Sequence, residues 1–222
     1  MKANLAKTNL VGRLACLDTC AVSDALDRMQ VRGVAFGLAP LSVPKRIVGH
    51  AVTVRLGPDD RRETKQHLCT RAVEASGPGR IIVIANEGRT NVAGWGGILS
   101  VAASIKGTEG VVIDGACRDI DESRAVGLAV YGRAAVPVTA RGRVVELEWN
   151  VPIVVCGQSV TPGDLVIADG SGVVFLRGDL AEAAIGEAEK IAEKERLIAE
   201  AVRNGVPVSQ AMGANYESML RR

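Results

Sequence analysis

Aromatic side chains are scarce in this chain: two Trp, two Tyr and two Phe among 222 residues. So few rings leave no stacking platform for single-stranded nucleic acid. The net charge of +2, from 27 basic and 25 acidic residues, is equally poor for a polyanion-binding face. No nucleic-acid partner is therefore expected. Histidine is limited to His50 and His67, which excludes a three-His metal centre by count. A Ser-His-Asp mechanism has no nucleophile elbow to support it. The longest apolar runs, such as Ile81–Ala85 and Val151–Cys156, are strand-length. A spanning helix needs roughly 20 apolar residues, so no membrane partner is expected. No apolar stretch follows Lys2 and Lys7, which argues against a secretory signal and for a cytoplasmic location. The five cysteines are odd in number and scattered, which suits reduced thiols, most of them buried as small hydrophobes. Cys16 and Cys20 form a CxxxC without a second pair, a poor zinc site. Chemistry is left to carboxylates, arginine, backbone amides and a metal ion.

What is present is an alternation of strands and helices. Thr19–Met29 has helical spacing, with Asp24 expected on a solvated face. Ile47–Leu56 alternates as a half-buried strand, and Thr64–Ser76 reads as a helix closed by Gly77-Pro78-Gly79. Arg80–Ala85 is a buried strand. Gly94–Ile105 begins with glycines and continues as an apolar helix. Val111–Asp114 is a second buried strand, followed by a helix or turn over Ile120–Gly127. Val130–Ala134 is a short strand, and Val136–Leu147 reads as extended. Val151–Val155, Leu165–Ala168 and Val173–Leu176 are further strands. From Asp179 to about Asn204 a long helix carries many Glu-to-Lys/Arg pairs. The pattern predicts one α/β domain over residues 1–178. Residues 179–222 then form a C-terminal helical arm that packs on the domain or on a neighbouring subunit.

One constellation stands out. The strand Val111–Asp114 ends at Gly115, and Arg118, Asp119, Asp121 and Glu122 crowd after it. Functional groups commonly sit just past the carboxyl ends of strands in α/β sheets. Upstream, Gly94-Trp95-Gly96-Gly97-Ile98-Leu99 opens a helix whose free amides suit an anion, and glycine lets it approach closely. In this reading Arg118 and the amides of Gly96, Gly97, Ile98 and Leu99 hold the carboxylate of a small acid. Asp119, with Glu122 one helical turn on, offers hard oxygen ligands for Mg2+ or Mn2+. Such an ion polarises the keto group of a 2-oxo acid and stabilises an enolate. A solvated salt-bridge cluster and a tight glycine turn are the plainer readings of the same residues. Neither a GK[ST] loop nor a GxGxxG fingerprint is present. Asp114 reads as an acceptor for turn amides and Trp95 as a packing residue.

The spacing Gly97-x20-Arg118-Asp119-x2-Glu122 resembles the motif of the family that holds the 4-hydroxy-4-methyl-2-oxoglutarate aldolases and the RraA-like proteins. Ser23-Asp24-Ala25-Leu26 resembles its N-terminal helix, and Gly49–Val54 its first core strand. Val160-x-Pro162-Gly163-Asp164-Leu165-Val166 and Asp169–Val174 resemble its C-terminal strand and turn. The resemblance implies a swivelling β/β/α-type sandwich with a C-terminal helix, assembled as a homotrimer or homohexamer with sites at subunit interfaces. It implies a divalent-metal pyruvate lyase that cleaves 4-hydroxy-2-oxo acids or decarboxylates oxaloacetate. Arg118 and Asp119 would be catalytic. Arg118 would bind the substrate carboxylate, Asp119 the metal, largely through water, and Gly96 to Leu99 the pyruvate portion. The dedicated aldolases carry Asp where this chain has Gly97; this chain is similar to the branch with Gly there and an acid at Glu122. Some RraA-like proteins instead regulate RNA degradation by binding a ribonuclease.

Overall fold

The computed structural model describes residues 9–61 and 66–213. Two short N-terminal helices, α1 (Leu10–Ala15) and α2 (Thr19–Arg28), lead into two-residue strands β1 (Val34–Ala35) and β2 (Ala39–Pro40). Three βα units follow: β3 (Ile47–Pro58) with α3 (Thr70–Ala75), β4 (Arg80–Trp95) with α4 (Gly97–Ile105), and β5 (Gly110–Cys117) with α5 (Ile120–Ala125). Then come β6 (Ala129–Gly132), β7 (Ala134–Ala135), β8 (Val144–Trp149), β9 (Ile153–Val155), β10 (Gln158–Val160), β11 (Leu165–Asp169) and β12 (Gly172–Leu176). The chain closes on α6 (Ala181–Arg203) and α7 (Val208–Ala211). The fold is mixed α/β, with one large sheet in the order β1-β12-β11-β3-β4-β5-β6-β2 and a long C-terminal helix. Strands β3, β4, β5 and β6 run parallel, as crossover helices require. The remaining pairings in the sheet are antiparallel except β5 with β7.

Alternation assigns each side chain of the central strands to a face. Ile82 and Ile84 of β4, with Val111 and Ile113 of β5, pack under Ala72 and Val73 of α3 and Leu99 and Ala103 of α4. Ile81, Val83, Ala85 and Val112 point the other way, against Ile153, Val155, Val160 and Val166. Burial on both faces explains the unbroken apolar run over Ile81–Ala85. A third cluster joins α1, α2 and α6 to β11 and β12. Ala184, Ile185, Ala188 and Ile191 form the apolar stripe of α6 and meet Ala21, Val22, Leu26, Ile167 and Leu176 there. The arm thus packs on its own chain through its first three turns, while Leu197 and Val202 stay exposed beyond them.

Several boundaries differ from the sequence reading. The helix predicted over Thr64–Ser76 is only Thr70–Ala75; residues 64 and 65 lie outside the described residues. Cys69 is left-handed (φ 64°), and its amide donates to Glu146 Oε2 at 2.6 Å, which ends any earlier helical turn. The strand predicted to stop at Ala85 runs on to Trp95. Bulges after Ala85, Arg89 and Ala93 let it keep pairing with β5 through Trp95 opposite Cys117. The α4 helix therefore begins at Gly97 rather than Gly94. Residues 136–143 are irregular, and only Val144–Trp149 of the predicted extended stretch is a strand. The thiols divide as well. Cys69 and Cys117 are buried, Cys156 is half-buried, and Cys16 and Cys20 are exposed, against the expectation that most are buried. Asp24 is half-buried rather than solvated; burial, then the charges of Asp27 and Asp18, raise its carboxyl above the usual range.

Candidate active site

Strands β4 and β5 end side by side, and each then turns into a helix. Those two turns bring residues 96–99 against 118–122. The Gly97 amide donates to Asp119 Oδ2 at 3.0 Å, and Arg118 Nε donates to the same oxygen at 3.1 Å. Asp119 is held in the left-handed region (φ 55°), which Asp tolerates better than most residues. Its carbonyl accepts the Ser123 amide at 3.2 Å and the Ser123 hydroxyl at 3.3 Å, which fixes the turn from behind.

A buried hydroxyl chain ties the two helices together. Trp95 Nε1 donates to Ser100 Oγ at 2.8 Å, and Ser100 and Ser123 share a hydrogen bond of 2.8 Å. Both serines are fully buried. With the indole as first donor, each proton in the series Trp95, Ser100, Ser123, Asp119 carbonyl has an acceptor. Trp95 is thus a packing residue with a polar duty, as well as part of the cleft wall.

Gly97 and Glu122 are sterically linked. A Cβ at position 97 would collide with the Glu122 carboxylate and would stand 3.0 Å from Asp119 Cβ. Glu122 and Asp119 therefore converge on the space above Gly97. Among the described residues nothing donates to the Glu122 carboxylate or to the second Asp119 oxygen. These two carboxylates are the oxygen donors that could hold a divalent ion. Among the described residues no group of three or more His, Cys, Asp or Glu could do so, and an ion held by these two alone would need water for the rest of its shell. That donor set fits Mg2+, which keeps several waters and takes one or two carboxylates.

A cleft of about 560 Å3 opens in front of these groups. Residues 93–99, Arg118 and Asp119 line it, together with His67, Leu68, Thr70 and the loop Thr139–Arg141. The structure brings Gly96, Gly97, Ile98, Leu99, Arg118 and Asp119 together here, with Glu122 exposed beside them over Gly97. The Gly97 amide is bonded to Asp119 Oδ2. Gly96 at the N-cap has no side chain and Asp119 takes only the Gly97 amide, which leaves the Ile98 and Leu99 amides of the first turn free to meet an anion. Ile98 is 86% exposed.

His67, Thr70, Thr139 and Arg141 were not singled out as site residues from the sequence, since no local pattern marks them. The first two are placed by Glu146, which takes the Cys69 amide and the Arg71 guanidinium (2.5 Å to Nη2). The loop of the other two is placed by the Ala93 amide, which donates to Val138 at 3.0 Å. Asp114 lies outside the cleft lining and accepts Arg133 Nε at 2.5 Å and the Cys156 amide at 2.8 Å, a structural acceptor as expected.

Residues 19–175 match the RraA-like (Aldolase/RraA) family. Protein DlpA of Legionella pneumophila is 27% identical over 91% of this chain, and the chain spans only 33% of that protein's length. A Deinococcus radiodurans protein, whose name is a provisional assignment as 4-hydroxy-4-methyl-2-oxoglutarate aldolase, is 33% identical over 72% of this chain and 94% of its own. The crystal structure of an uncharacterized protein from Pseudomonas syringae pv. tomato superposes with a TM-score of 0.83 at 32% identity, covering 92% of this chain and 96% of that one.

Proposed function

The chain belongs to the RraA-like family, and from that premise we propose that it is a divalent-metal-dependent lyase that forms pyruvate from 4-hydroxy-2-oxo acids or oxaloacetate. The observation that carries the reading is the convergence of Asp119, Glu122 and Arg118 on the mouth of the cleft, beside the start of α4, whose first amide Asp119 takes. Arg118 spends only Nε on Asp119, so its two terminal nitrogens remain for the C1 carboxylate of a 2-oxo acid. The Ile98 and Leu99 amides meet the same anion. Asp119 and Glu122 would hold Mg2+ or Mn2+. When bound, such an ion supplies a Lewis acid for the keto oxygen and a counter-charge for the electrons released as the C–C bond breaks. The protein's part is orientation: Gly97 and Ser123 fix Asp119, and the Asp119 carboxylate fixes the Arg118 fork.

We assign the assembly to a homotrimer or homohexamer. Ile98 and Ile105 are 86% and 82% exposed and share a face of α4 with Val101, directly beside the cleft. Such a stripe at a site's rim suits a subunit contact. No described helix is long and apolar enough to cross a membrane.

The test is pyruvate release from oxaloacetate and from 4-hydroxy-4-methyl-2-oxoglutarate with Mg2+ or Mn2+, with and without EDTA. Metal-dependent release that stops on chelation supports the reading. Stoichiometric capture of a ribonuclease with no lyase activity on any 2-oxo acid would instead mark a regulator of RNA degradation.

A further inference from the structure

One wall of the cleft depends on a residue in an unfavourable conformation. His67, Leu68 and Thr70 line the cleft, and Cys69 among them is left-handed, with φ 64°. A residue with a Cβ crowds its own carbonyl there, so it persists only where its surroundings hold it. Glu146 of β8 is that support. Its Oε2 accepts the Cys69 amide at 2.6 Å, and its Oε1 accepts Arg71 Nε at 3.0 Å and Nη2 at 2.5 Å. The Arg71 guanidinium also stands 5.6 Å from the centre of the Trp149 ring, a second tie to β8. Within the turn the Thr70 hydroxyl donates to the His67 carbonyl at 2.8 Å, and Cys69 Sγ donates to the Gly94 carbonyl at 3.8 Å.

The Glu146 side chain is only 8% exposed. A carboxylate withdrawn from water is costly unless donors fill its oxygens, and here three do. Glu146 does not line the cleft itself. It borders a smaller hollow of about 210 Å3 that shares His67 and Leu68 with the cleft. What the wall touches follows from the lyase reading above, on which this inference rests. Arg118 and the Ile98 and Leu99 amides take the pyruvate half. A cleft of about 560 Å3 holds more than a three-carbon acid. The rest of the substrate then lies among the other lining residues, His67, Leu68 and Thr70 included. We infer that Glu146 is a positioning residue for the departing half of the substrate: by holding Cys69 left-handed it sets the wall that aligns the C3–C4 bond for cleavage.

Alignment bears on one reaction of the site and not on another. In retro-aldol cleavage the C4 hydroxyl gives its proton to water and the C3–C4 bond breaks. The electron pair passes to C3, C4 becomes a carbonyl, and a proton added at C3 completes pyruvate. The bond breaks readily only when it stands parallel to the π orbitals of the keto group, so a loosened wall slows the step. Exchange of the C3 hydrogens of pyruvate has no departing half. Its methyl group turns freely, and the wall has nothing to align.

The experiment compares wild type, Glu146→Gln and Glu146→Asp with Mg2+ on two reactions. These are cleavage of 4-hydroxy-4-methyl-2-oxoglutarate and exchange of the C3 hydrogens of pyruvate in D2O. Glu146→Gln removes the charge that Arg71 pairs with, and Glu146→Asp keeps the charge but draws it back by one methylene. The expected result is a fall of about 10- to 100-fold in kcat for cleavage in Glu146→Gln and a smaller fall in Glu146→Asp, with exchange within about twofold of wild type in both. If Glu146→Gln fails to fold, Glu146→Asp carries the comparison. Equal losses in both reactions make Glu146 a support of the whole fold and overturn the inference, as does unchanged cleavage; the lyase reading then stands. A wild type that exchanges pyruvate but cleaves no 4-hydroxy-2-oxo acid overturns it too. No exchange in wild type with metal present overturns both.

Discussion

Glycine at position 97 leaves open the space that the Glu122 carboxylate occupies. The glutamate carboxylate fills the volume that any side chain at 97 would take, so the acid above the cleft floor is delivered from α5 instead of from α4. Gly97→Ala is expected to push Glu122 aside and weaken Mn2+ binding about 10-fold, as losing a metal-orienting group commonly does. Glu122→Ala should weaken it comparably, and Gly97→Asp combined with Glu122→Ala should recover most of the loss, because the new carboxylate enters the vacated space. Calorimetric titration with Mn2+ reads all three, and wild-type affinity in Gly97→Ala would sink the account of this position. At this scale the sequence was informative where spacing carried meaning: Gly97, Arg118, Asp119 and Glu122 all meet. It was silent on the Gly97 amide's partner, because that contact spans 22 residues. It was silent on His67 and Arg141 too, because loops carry no period and both are positioned by distant hydrogen bonds.

The elements α4 and α5 act as one unit because Ser100 and Ser123 join them in the core. Removing the Ser123 hydroxyl leaves the Ser100 hydroxyl only its 3.3 Å bond to the Gly96 carbonyl and deletes one bond to the Asp119 carbonyl. Ser123→Ala is therefore expected to cost about 1–3 kcal/mol, read by denaturant unfolding, and to weaken metal binding as the Asp119 turn loosens. Loss of stability with unchanged metal affinity would make the pair a core hydrogen bond alone. The core strands over Arg80–Ala85 and Val111–Asp114 were legible, since double-sided burial writes an apolar run. The extension of β4 to Trp95 was not. Bulged pairing depends on the partner strand, and Glu87 and Gly88 at positive φ look like a turn when read alone. The late start of α3 escaped for a similar reason, because Glu146 on β8 decides it.

The molecule as a whole lays its helices on one face of the sheet and strands β9 and β10 on the other, and buried polar ties pin them. Asp169, at the end of β11, accepts the Thr19 amide at 2.9 Å and the Thr19 hydroxyl at 2.6 Å, which docks α2. Burial alone would raise this carboxyl. The Thr19 hydroxyl, the Thr19 and Ser171 amides and the charge of Arg46 outweigh that and lower it. Its folded value lies below its unfolded one. The stability it confers is therefore complete above the ordinary Asp value of about 3.9 and is lost as pH falls through the depressed value. Asp169→Asn should flatten that acid-side loss in a stability-against-pH profile; an unchanged slope below pH 4 would contradict the assignment. Thiol chemistry samples the same architecture. Burial raises Cys69 and Cys117 far above reactivity, and burial with the charge of Asp114 pushes Cys156 up to about 11. Titration of native protein with a thiol reagent near pH 8 should count two fast groups, Cys16 and Cys20, and five would mean the core opens readily. The central claim is that Arg118 and Asp119, with a divalent ion, make pyruvate enolise. Exchange of the C3 hydrogens of pyruvate in D2O, followed by NMR, tests it most directly. The account predicts exchange with Mg2+ or Mn2+, none after chelation, and losses on the order of 100-fold or more in Arg118→Ala and Asp119→Ala. Exchange that survives chelation, or that both variants retain, would contradict it.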